Sequence, residues 1–168
     1  MFQLNDTVIY GNHGVCKITE IGTLSISVAD KNKQYYTLRP VYQPSAVIYA
    51  PVETPKTLMR PVISKEGAEA LIKEIPDIDS VWITNEKERE HQYKAALQTC
   101  DCRELVKIIK TLYLRKAARI QNGKKVTAVD EKYFRLAEAQ LYEELAFALD
   151  MERSHVAPYI TDYVMQHS

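Results

Sequence analysis

One change of hydrophobic pattern, between residues 54 and 64, constrains the fold more than any other feature of the sequence. Before it, short runs rich in Val, Ile, Thr and Tyr alternate with turn signals, which is typical of β-strands. After it, apolar residues recur every three or four positions, which is typical of amphipathic helices. Because strands and helices are segregated along the chain, the pattern predicts a β module followed by an α module, and argues against a βαβ nucleotide fold.

The first part of the chain is predicted to form a small β-barrel over residues 1–53. The turn signals between the strands are rich in Gly, Asn, Asp, Pro and Ser. The strand-like segments cover residues 6–10, 14–21, 24–29, 34–41 and 46–52. Five short strands in about fifty residues indicate a small, strongly bent sheet or barrel.

The remainder is predicted to be a linker and a compact all-α domain of about five helices. Residues 54–64 carry two prolines without clear periodicity and are interpreted as the linker, so that the helical domain covers residues 65–168. Capping residues and stop signals place the helices at 65–75, from 84 or 85 to 98, from 101 to about 121, from 127 to about 149, and from near 154 onward.

The charges are balanced overall but unevenly distributed. The chain has 22 basic and 22 acidic residues, and a formal net charge of zero disfavours a protein that binds nucleic acid unaided. Between Leu105 and Val129, however, there are seven basic residues and no acidic one: Lys107, Lys110, Arg115, Lys116, Arg119, Lys124 and Lys125. Two interpretations remain open, a solvated polar face and a set of phosphate contacts.

Two cysteine-containing stretches are interpreted as structural. His13 and Cys16 flank a predicted hairpin turn with Gly11 and Gly14, and no helix follows that would complete a phosphate loop. A catalytic cysteine needs a base within hydrogen-bond reach, which this spacing in a strand does not favour. Cys100 and Cys102 form a single C-x-C at a helix start, whereas metal ribbons use paired C-x₂-C motifs, so no metal site is expected.

The sequence is not expected to encode an enzyme. It contains no paired carboxylates, nucleophile elbow or glycine-rich phosphate cradle, so neither a cofactor nor a small-molecule substrate is expected. It has no run of 18 apolar residues and no visible secretory signal, and its three cysteines argue against a secreted disulfide scaffold. A cytoplasmic protein, and a monomer, is therefore expected.

The aromatic residues of the helical part allow two interpretations. Trp82 is the only tryptophan and lies between two predicted helices. It is either a core anchor or an exposed contact that inserts into a base step, and the sequence leaves both open. Four tyrosines on helices are expected to be half-buried packing residues: Tyr93, Tyr113, Tyr133 and Tyr142.

Two blocks of sequence resemble the CarD/CdnL family of bacterial transcription regulators. The first block is "FQLNDTVIYGNHGVCKITEI"; the second is "EREHQYKAALQTCDCRELVKIIKTLYLRK" followed by "GKKVTAVDEKYFRLAEAQLYEELAFAL". The first block is also similar to the polymerase-binding module of the transcription-repair coupling factor. The resemblance implies a Tudor-like, SH3-like barrel that docks on the RNA polymerase β subunit. It further implies a nucleoid-associated helical module that contacts upstream promoter DNA, at its backbone and minor groove, and stabilises the open complex.

The resemblance also implies roles for individual residues. The family's DNA-contacting positions match Lys94, Arg115 and Lys132, and four neighbouring bases extend the set: Lys110, Lys116, Lys124 and Lys125. Family members place a wedge tryptophan four residues before the Tyr93-Lys94 pair; here that position is Arg89, which could enter a minor groove instead.

Three residues are predicted to face the polymerase, since interfaces favour Tyr and Arg: Tyr35, Arg39 and Tyr49. The alternative function is a protein-only adaptor, whose barrel and helical module would each bind a protein partner.

Overall fold

The computed structural model describes residues 2–24, 32–53, 57–80 and 85–167. The chain divides into two compact units, Met1–Val62 and Ile63–Ser168. The first unit contains the strands and the second the helices, as the change of pattern predicts.

The first unit is a five-stranded antiparallel sheet with the order β4-β3-β2-β1-β5. The strands are β1 (Thr7–Tyr10), β2 (Val15–Gly22), β3 (Tyr35–Pro40), β4 (Ile48–Pro51) and β5 (Met59–Pro61). Alternation along the strands directs one set of side chains into an apolar core, in line with the period of two in a pleated strand. That core contains Val8, Tyr10, Cys16, Ile18, Tyr36, Leu38 and Ala50.

The turn between β1 and β2 requires glycine at two positions. Gly11 and Gly14 have φ values of 50° and 74°, in the left-handed region that side chains with a Cβ disfavour. The residues from Gly11 to His13 form one 3₁₀ turn, and the Tyr10 N–H donates to the carbonyl oxygen of Gly14 at 3.0 Å. A Cβ on Gly11 would also collide with the Thr57 side chain. The predicted hairpin is therefore confirmed, and its glycines shape the turn.

The sheet differs from the sequence prediction at one edge. Residues 54–64 were expected to form a linker, but Met59–Pro61 pairs with β1 as strand β5. Proline lacks an N–H and argues against a strand in the middle of a sheet. An edge strand tolerates Pro61 because the outer side of such a strand pairs with no other strand and needs no N–H there. The predicted strand at 24–29 lies outside the described residues apart from its first residue.

The helices begin and end close to their predicted bounds. They are α1 (Lys65–Glu74), α2 (Glu86–Thr99), α3 (Cys102–Gln121), α4 (Ala128–Leu149) and α5 (Val156–His167). The side chains of Ser64, Asn85, Asp101 and Thr127 each accept a hydrogen bond from a backbone N–H of the first turn. Such caps satisfy donors that the helix itself leaves unpaired, which is why they mark helix starts so clearly.

The helical unit has its own core, which α3 only partly enters. Buried residues of α3 end at Leu112, and most of the following two turns are exposed. Tyr113 is consequently 63% exposed rather than half-buried, while Tyr93 and Tyr133 are fully buried. No described helix is both long and apolar enough to cross a membrane.

Candidate nucleic-acid interface

Two buried tyrosines mark the point where α2, α3 and α4 meet. The rings of Tyr93 on α2 and Tyr133 on α4 lie 5.6 Å apart between centroids, at an interplanar angle of 46°. Both are buried, yet each hydroxyl donates to a carboxylate. Buried tyrosine hydroxyls need such partners, since burial removes their hydrogen bonds to water. We refer to Tyr93 and Tyr133 as the tyrosine pair.

The hydroxyl of Tyr93 reaches a buried ion pair. It donates to Oδ1 of Asp130 at 3.2 Å, while Nε of Arg115 donates to Oδ2 at 2.8 Å. The Asp130 side chain is only 6% exposed, and a carboxylate so buried needs a cation or several hydrogen bonds to stay charged. Burial raises the pKa of Tyr93 to about 12, and the negative charge of Asp130 adds to this effect. Arg115 is thus held by Asp130 of α4, and the same carboxylate is held by Tyr93 of α2.

The other tyrosine lies between two lysines. Its hydroxyl donates to Oε1 of Glu90 at 3.2 Å, and the same oxygen lies 3.6 Å from Nζ of Lys94. The ammonium of Lys132 is 5.3 Å from the centroid of the Tyr133 ring, a cation–π distance. Lys94 and Lys132 are both exposed. The structure therefore brings the three residues expected to contact DNA, Lys94, Arg115 and Lys132, around the tyrosine pair.

The additional basic residues are distributed more widely. Nζ of Lys110 donates to the carbonyl oxygen of Ile78 at 2.6 Å, a contact that braces the segment after α1 against α3. Lys116, Lys124 and Lys125 are exposed near the α3–α4 connection. Nε of Arg119 donates to the Lys125 carbonyl at 2.7 Å and so fixes that connection. Lys110 has a structural contact, while the other three present charge to solvent.

An open cavity of about 370 Å³ lies beside the tyrosine pair. It is lined by Lys87, Arg89, Glu90, Tyr93, Arg115, Thr127, Val129 and Asp130. The first turns of α2 and α4 supply most of this lining, and α3 contributes Arg115. Arg89, the residue at the family's wedge position, therefore lines the same cavity as Arg115. Trp82 lies outside the described residues.

Sequence reasoning missed the acidic partners of this cluster. Asp130 lies in the first turn of α4, where its N–H donates to the Thr127 hydroxyl, but its carboxylate accepts Nε of Arg115. One signal was available, because Asp130 is the first acidic residue after the acid-free stretch that contains Arg115. Glu90 carried no comparable signal, since Tyr133, whose hydroxyl it accepts, lies on a helix distant in sequence.

In the sheet unit, the three predicted polymerase contacts share one face. Tyr49 of β4 pairs with Thr37 of β3, and Tyr35 and Arg39 lie two positions before and after Thr37. Because side chains alternate along a strand, Tyr35, Arg39 and Tyr49 share one face, opposite to the face with Leu38 that forms the core. Tyr49 is 42% exposed, Arg39 is exposed and Tyr35 is half-buried. Nη1 of Arg39 donates to the Pro44 carbonyl at 3.2 Å. Tyr49 belongs to β4, which stands at one end of the strand order.

Comparison with protein families assigns this sheet unit. Residues 2–63 match the family model of the CarD-like/TRCF RID domain. We refer to the N-terminal unit, which matches this family model, as the RID domain. The match covers the five strands of the sheet and stops where the helical unit begins. A search of curated proteins finds no match to the chain.

The RID domain indicates RNA polymerase as a partner, because interaction with the polymerase defines the TRCF domain of this family.

The thiol of the RID domain is buried. Cys16 has no exposed surface, and its sulfur lies 4.0 Å from the backbone oxygen of His13, whose ring stacks on Tyr10 instead. Burial raises the pKa of Cys16 to about 11, the opposite of the shift that activates a nucleophilic thiol.

The two cysteines of the helical unit, Cys100 and Cys102, are also buried, and neither forms a disulfide. Cys102 donates to Oε1 of Glu144 at 3.3 Å, and Oε2 of that buried carboxylate accepts the Ile63 N–H at 2.9 Å. Within the described segments, no group of three or more His, Cys, Asp or Glu is placed to hold a metal ion.

Proposed function

We propose that the protein is a non-enzymatic transcription regulator that binds the β subunit of RNA polymerase through its RID domain. The helical unit contacts upstream promoter DNA, at the backbone and minor groove, and stabilises the open complex. The observation that carries this proposal is the convergence of Lys94, Arg115 and Lys132 around the tyrosine pair. These residues come from three helices, and their convergence gives one basic site on a chain of zero net charge.

The neutral net charge fits a two-part mode of binding. A few phosphate contacts give weak affinity alone, but attachment to the polymerase raises the local concentration of the helical unit near the DNA. Phosphate contacts position a protein without reading sequence, which suits a factor that acts on many promoters.

The RID sheet suits a strand-addition contact. An exposed edge strand can pair its backbone with a partner strand, and neighbouring side chains then provide specificity. Strand β4 stands at the end of the strand order and carries the exposed Tyr49. Tyrosine and arginine are enriched in interface hot spots, which supports Tyr49 and Arg39 as contacts.

The test is charge reversal of the exposed lysines of the site. Lys94→Glu/Lys132→Glu is compared with Lys65→Glu/Lys73→Glu, which changes net charge equally at two exposed lysines of α1. Arg115 stays unchanged, because its reversal would leave Asp130 buried beside another carboxylate. The site variant is expected to shorten open-complex lifetime and to reduce the salt-dependence slope by about 1.8, or about 0.9 per phosphate contact. Polymerase binding should persist in both variants.

Unchanged lifetimes in the site variant, with polymerase binding intact, would show that this face does not contact DNA. An equal loss in the α1 variant would point to a general charge effect instead of a defined site.

A protein-only adaptor is the second candidate. Tyr113, Leu114 and Ile120 are each more than half exposed on the last turns of α3. Apolar residues grouped on a helix favour a protein partner over a phosphate backbone. Crosslinking of the polymerase–promoter complex separates the two candidates, since only a DNA-contacting helical unit would give crosslinks to DNA from Lys94 or Lys132.

A further inference from the structure

The cavity beside the tyrosine pair has the properties of a small anion site. Its lining includes three cationic side chains, those of Lys87, Arg89 and Arg115, and two carboxylates, Glu90 and Asp130. Whether such a cavity attracts anions depends on how far its carboxylates are already neutralised by partners within the protein.

Both carboxylates have partners in the protein. Asp130 accepts Nε of Arg115 through Oδ2 and the Tyr93 hydroxyl through Oδ1. Glu90 accepts the Tyr133 hydroxyl and lies within ion-pair distance of Lys94. Both negative charges of the lining are therefore paired within the protein: Asp130 holds Arg115 and Tyr93, and Glu90, which is 42% exposed, holds Tyr133 and Lys94.

Two of these cations, Arg115 and Lys87, have donors left to offer. A guanidinium has five N–H groups, and Asp130 accepts only the one on Nε of Arg115, so four remain on its terminal nitrogens. Among the described residues these terminal nitrogens have no acceptor, and the same holds for the exposed ammonium of Lys87. A guanidinium held by a buried carboxylate is a preorganised donor for two oxygens of one phosphate.

The size and apolar surface of the cavity add a second requirement on the ligand. Its volume of about 370 Å³ is within the range of small-ligand sites, about 300–1,000 Å³, and exceeds what a lone phosphate fills. Val129, which is 42% exposed, adds apolar surface to the lining. A flat base joined to a phosphate satisfies both parts of the lining.

We propose that this cavity binds a nucleoside phosphate, with the phosphate on Lys87 and Arg115 and the base against Val129. The same chemistry has two sources, a free nucleotide and an unpaired nucleotide of single-stranded DNA. Because Arg115 belongs to the proposed DNA site, a free nucleotide in the cavity would compete with promoter DNA. Only this regulatory consequence rests on the proposed function, whereas binding itself does not.

The test is calorimetric titration of the full-length protein with four probes: deoxyadenosine 5′-monophosphate, deoxyadenosine, inorganic phosphate and a short single-stranded oligonucleotide. Lys87→Ala and Arg115→Lys are the site variants; the second keeps a cation beside Asp130 but removes the fork of donors. Lys73→Ala on α1 is the matched control, since it removes one exposed lysine elsewhere. Both site variants should weaken nucleotide binding at least fivefold, and the control should remain within twofold of the natural sequence.

If the mononucleotide binds, and both site variants weaken that binding while the control does not, the ligand of the cavity is a free nucleotide. Binding of the oligonucleotide alone, with the same pattern, supports the unpaired strand. The proposal is overturned by no binding of either nucleotide probe, by equal affinity for inorganic phosphate or deoxyadenosine, or by an equal effect of Lys73→Ala. Failure here leaves the open-complex comparison of Lys94→Glu/Lys132→Glu unaffected, so the two proposals can fail separately.

Discussion

At the scale of single residues, the ion pair of Arg115 and Asp130 links stability to the proposed DNA contact. Asp130 is nearly inaccessible to water, while 21% of the Arg115 side chain remains exposed. A buried charge that loses its partner costs far more than the pair itself contributes. Substitution of Arg115 therefore changes folding and binding together, and its effect on promoters can be interpreted only beside a stability measurement.

We predict that Arg115→Met lowers the free energy of unfolding by about 3–5 kcal/mol, because Asp130 is left buried without a cation. Arg115→Met/Asp130→Asn should recover at least half of that loss, since the amide is neutral and its oxygen still accepts the Tyr93 hydroxyl. Urea denaturation measures both values. A double variant no more stable than the single one would show that the charge of Asp130 is not the source of the cost.

A second prediction concerns the Cys16 thiol. Its pKa of about 11 in the folded protein lies above the ordinary value of 9.0, so the folded state favours the neutral thiol. At pH 9, about half of the unfolded thiols but only about one in a hundred folded ones would be ionised. The free energy of unfolding should therefore fall as pH rises from 9 toward 11, because the unfolded state loses the thiol proton more readily than the folded state. Replacement of Cys16 by Ala removes this contribution.

The measurement is iodoacetamide labelling with residue-resolved mass spectrometry. Cys16 should label much more slowly in the folded protein than in urea at the same pH. Rapid labelling near neutral pH would contradict the buried, protonated thiol, and would revive an enzymatic interpretation of His13 and Cys16.

The sequence predicted the basic members of the candidate site better than its acidic ones. Lys94, Arg115 and Lys132 were selected through matched motifs, and the structure brings them together. Asp130 and Glu90 were missed because their importance depends on which helices surround them. An exposed carboxylate and a buried one look alike in a sequence, and only packing distinguishes them.

At the scale of elements, helix ends were predictable and one strand was not. The caps of Ser64, Asn85, Asp101 and Thr127 are local signals, since each acts on an N–H two or three residues away. Strand β5 depends on pairing with β1, about fifty residues earlier. Apart from Pro61 it contains only two residues, Met59 and Arg60, which are too few to show an alternating pattern in the sequence. Non-local pairing therefore explains the error in the predicted linker.

The turn between β1 and β2 gives a prediction at this scale. Gly11→Ala should lower the free energy of unfolding by about 1–3 kcal/mol, because alanine is strained at a φ of 50° and its Cβ would displace Thr57. Gly22→Ala is the matched control at the end of β2, where an added Cβ meets nothing within 4 Å and φ is not in the left-handed region. Thermal unfolding compares the two. Equal effects would indicate that loss of chain flexibility, and not the turn, determines the result.

At the scale of the whole molecule, the described residues form one hydrophobic core in each of the two units. One core lies within Met1–Val62 and the other within Ile63–Ser168. The family match follows the first of these units. Interaction with the polymerase and the proposed DNA contact are therefore attributed to different units of the chain.

We predict that residues 1–62 fold alone and retain polymerase binding, whereas residues 1–53 do not fold. The shorter fragment lacks β5, which pairs with β1, and also lacks the Leu58 carbonyl that accepts the Gly11 N–H at 2.9 Å. Amide dispersion in NMR spectra and a pull-down with the isolated β subunit measure folding and binding. A well-folded 1–53 fragment would show that β5 is dispensable.

The two ends of the strand order also determine how many partners the sheet can recruit. Strand β5 is three residues long and carries Arg60 and Pro61, features that discourage further pairing, whereas β4 presents Tyr49. A sheet that accepts strands at both ends can grow by repeated addition into a fibre, because each new copy offers another edge. With one end closed to addition, growth terminates after a single partner strand. We therefore expect the proline that concealed β5 in the sequence to disfavour self-propagating assembly, while β4, at the other end of the described strand order, is where we propose that one polymerase strand adds.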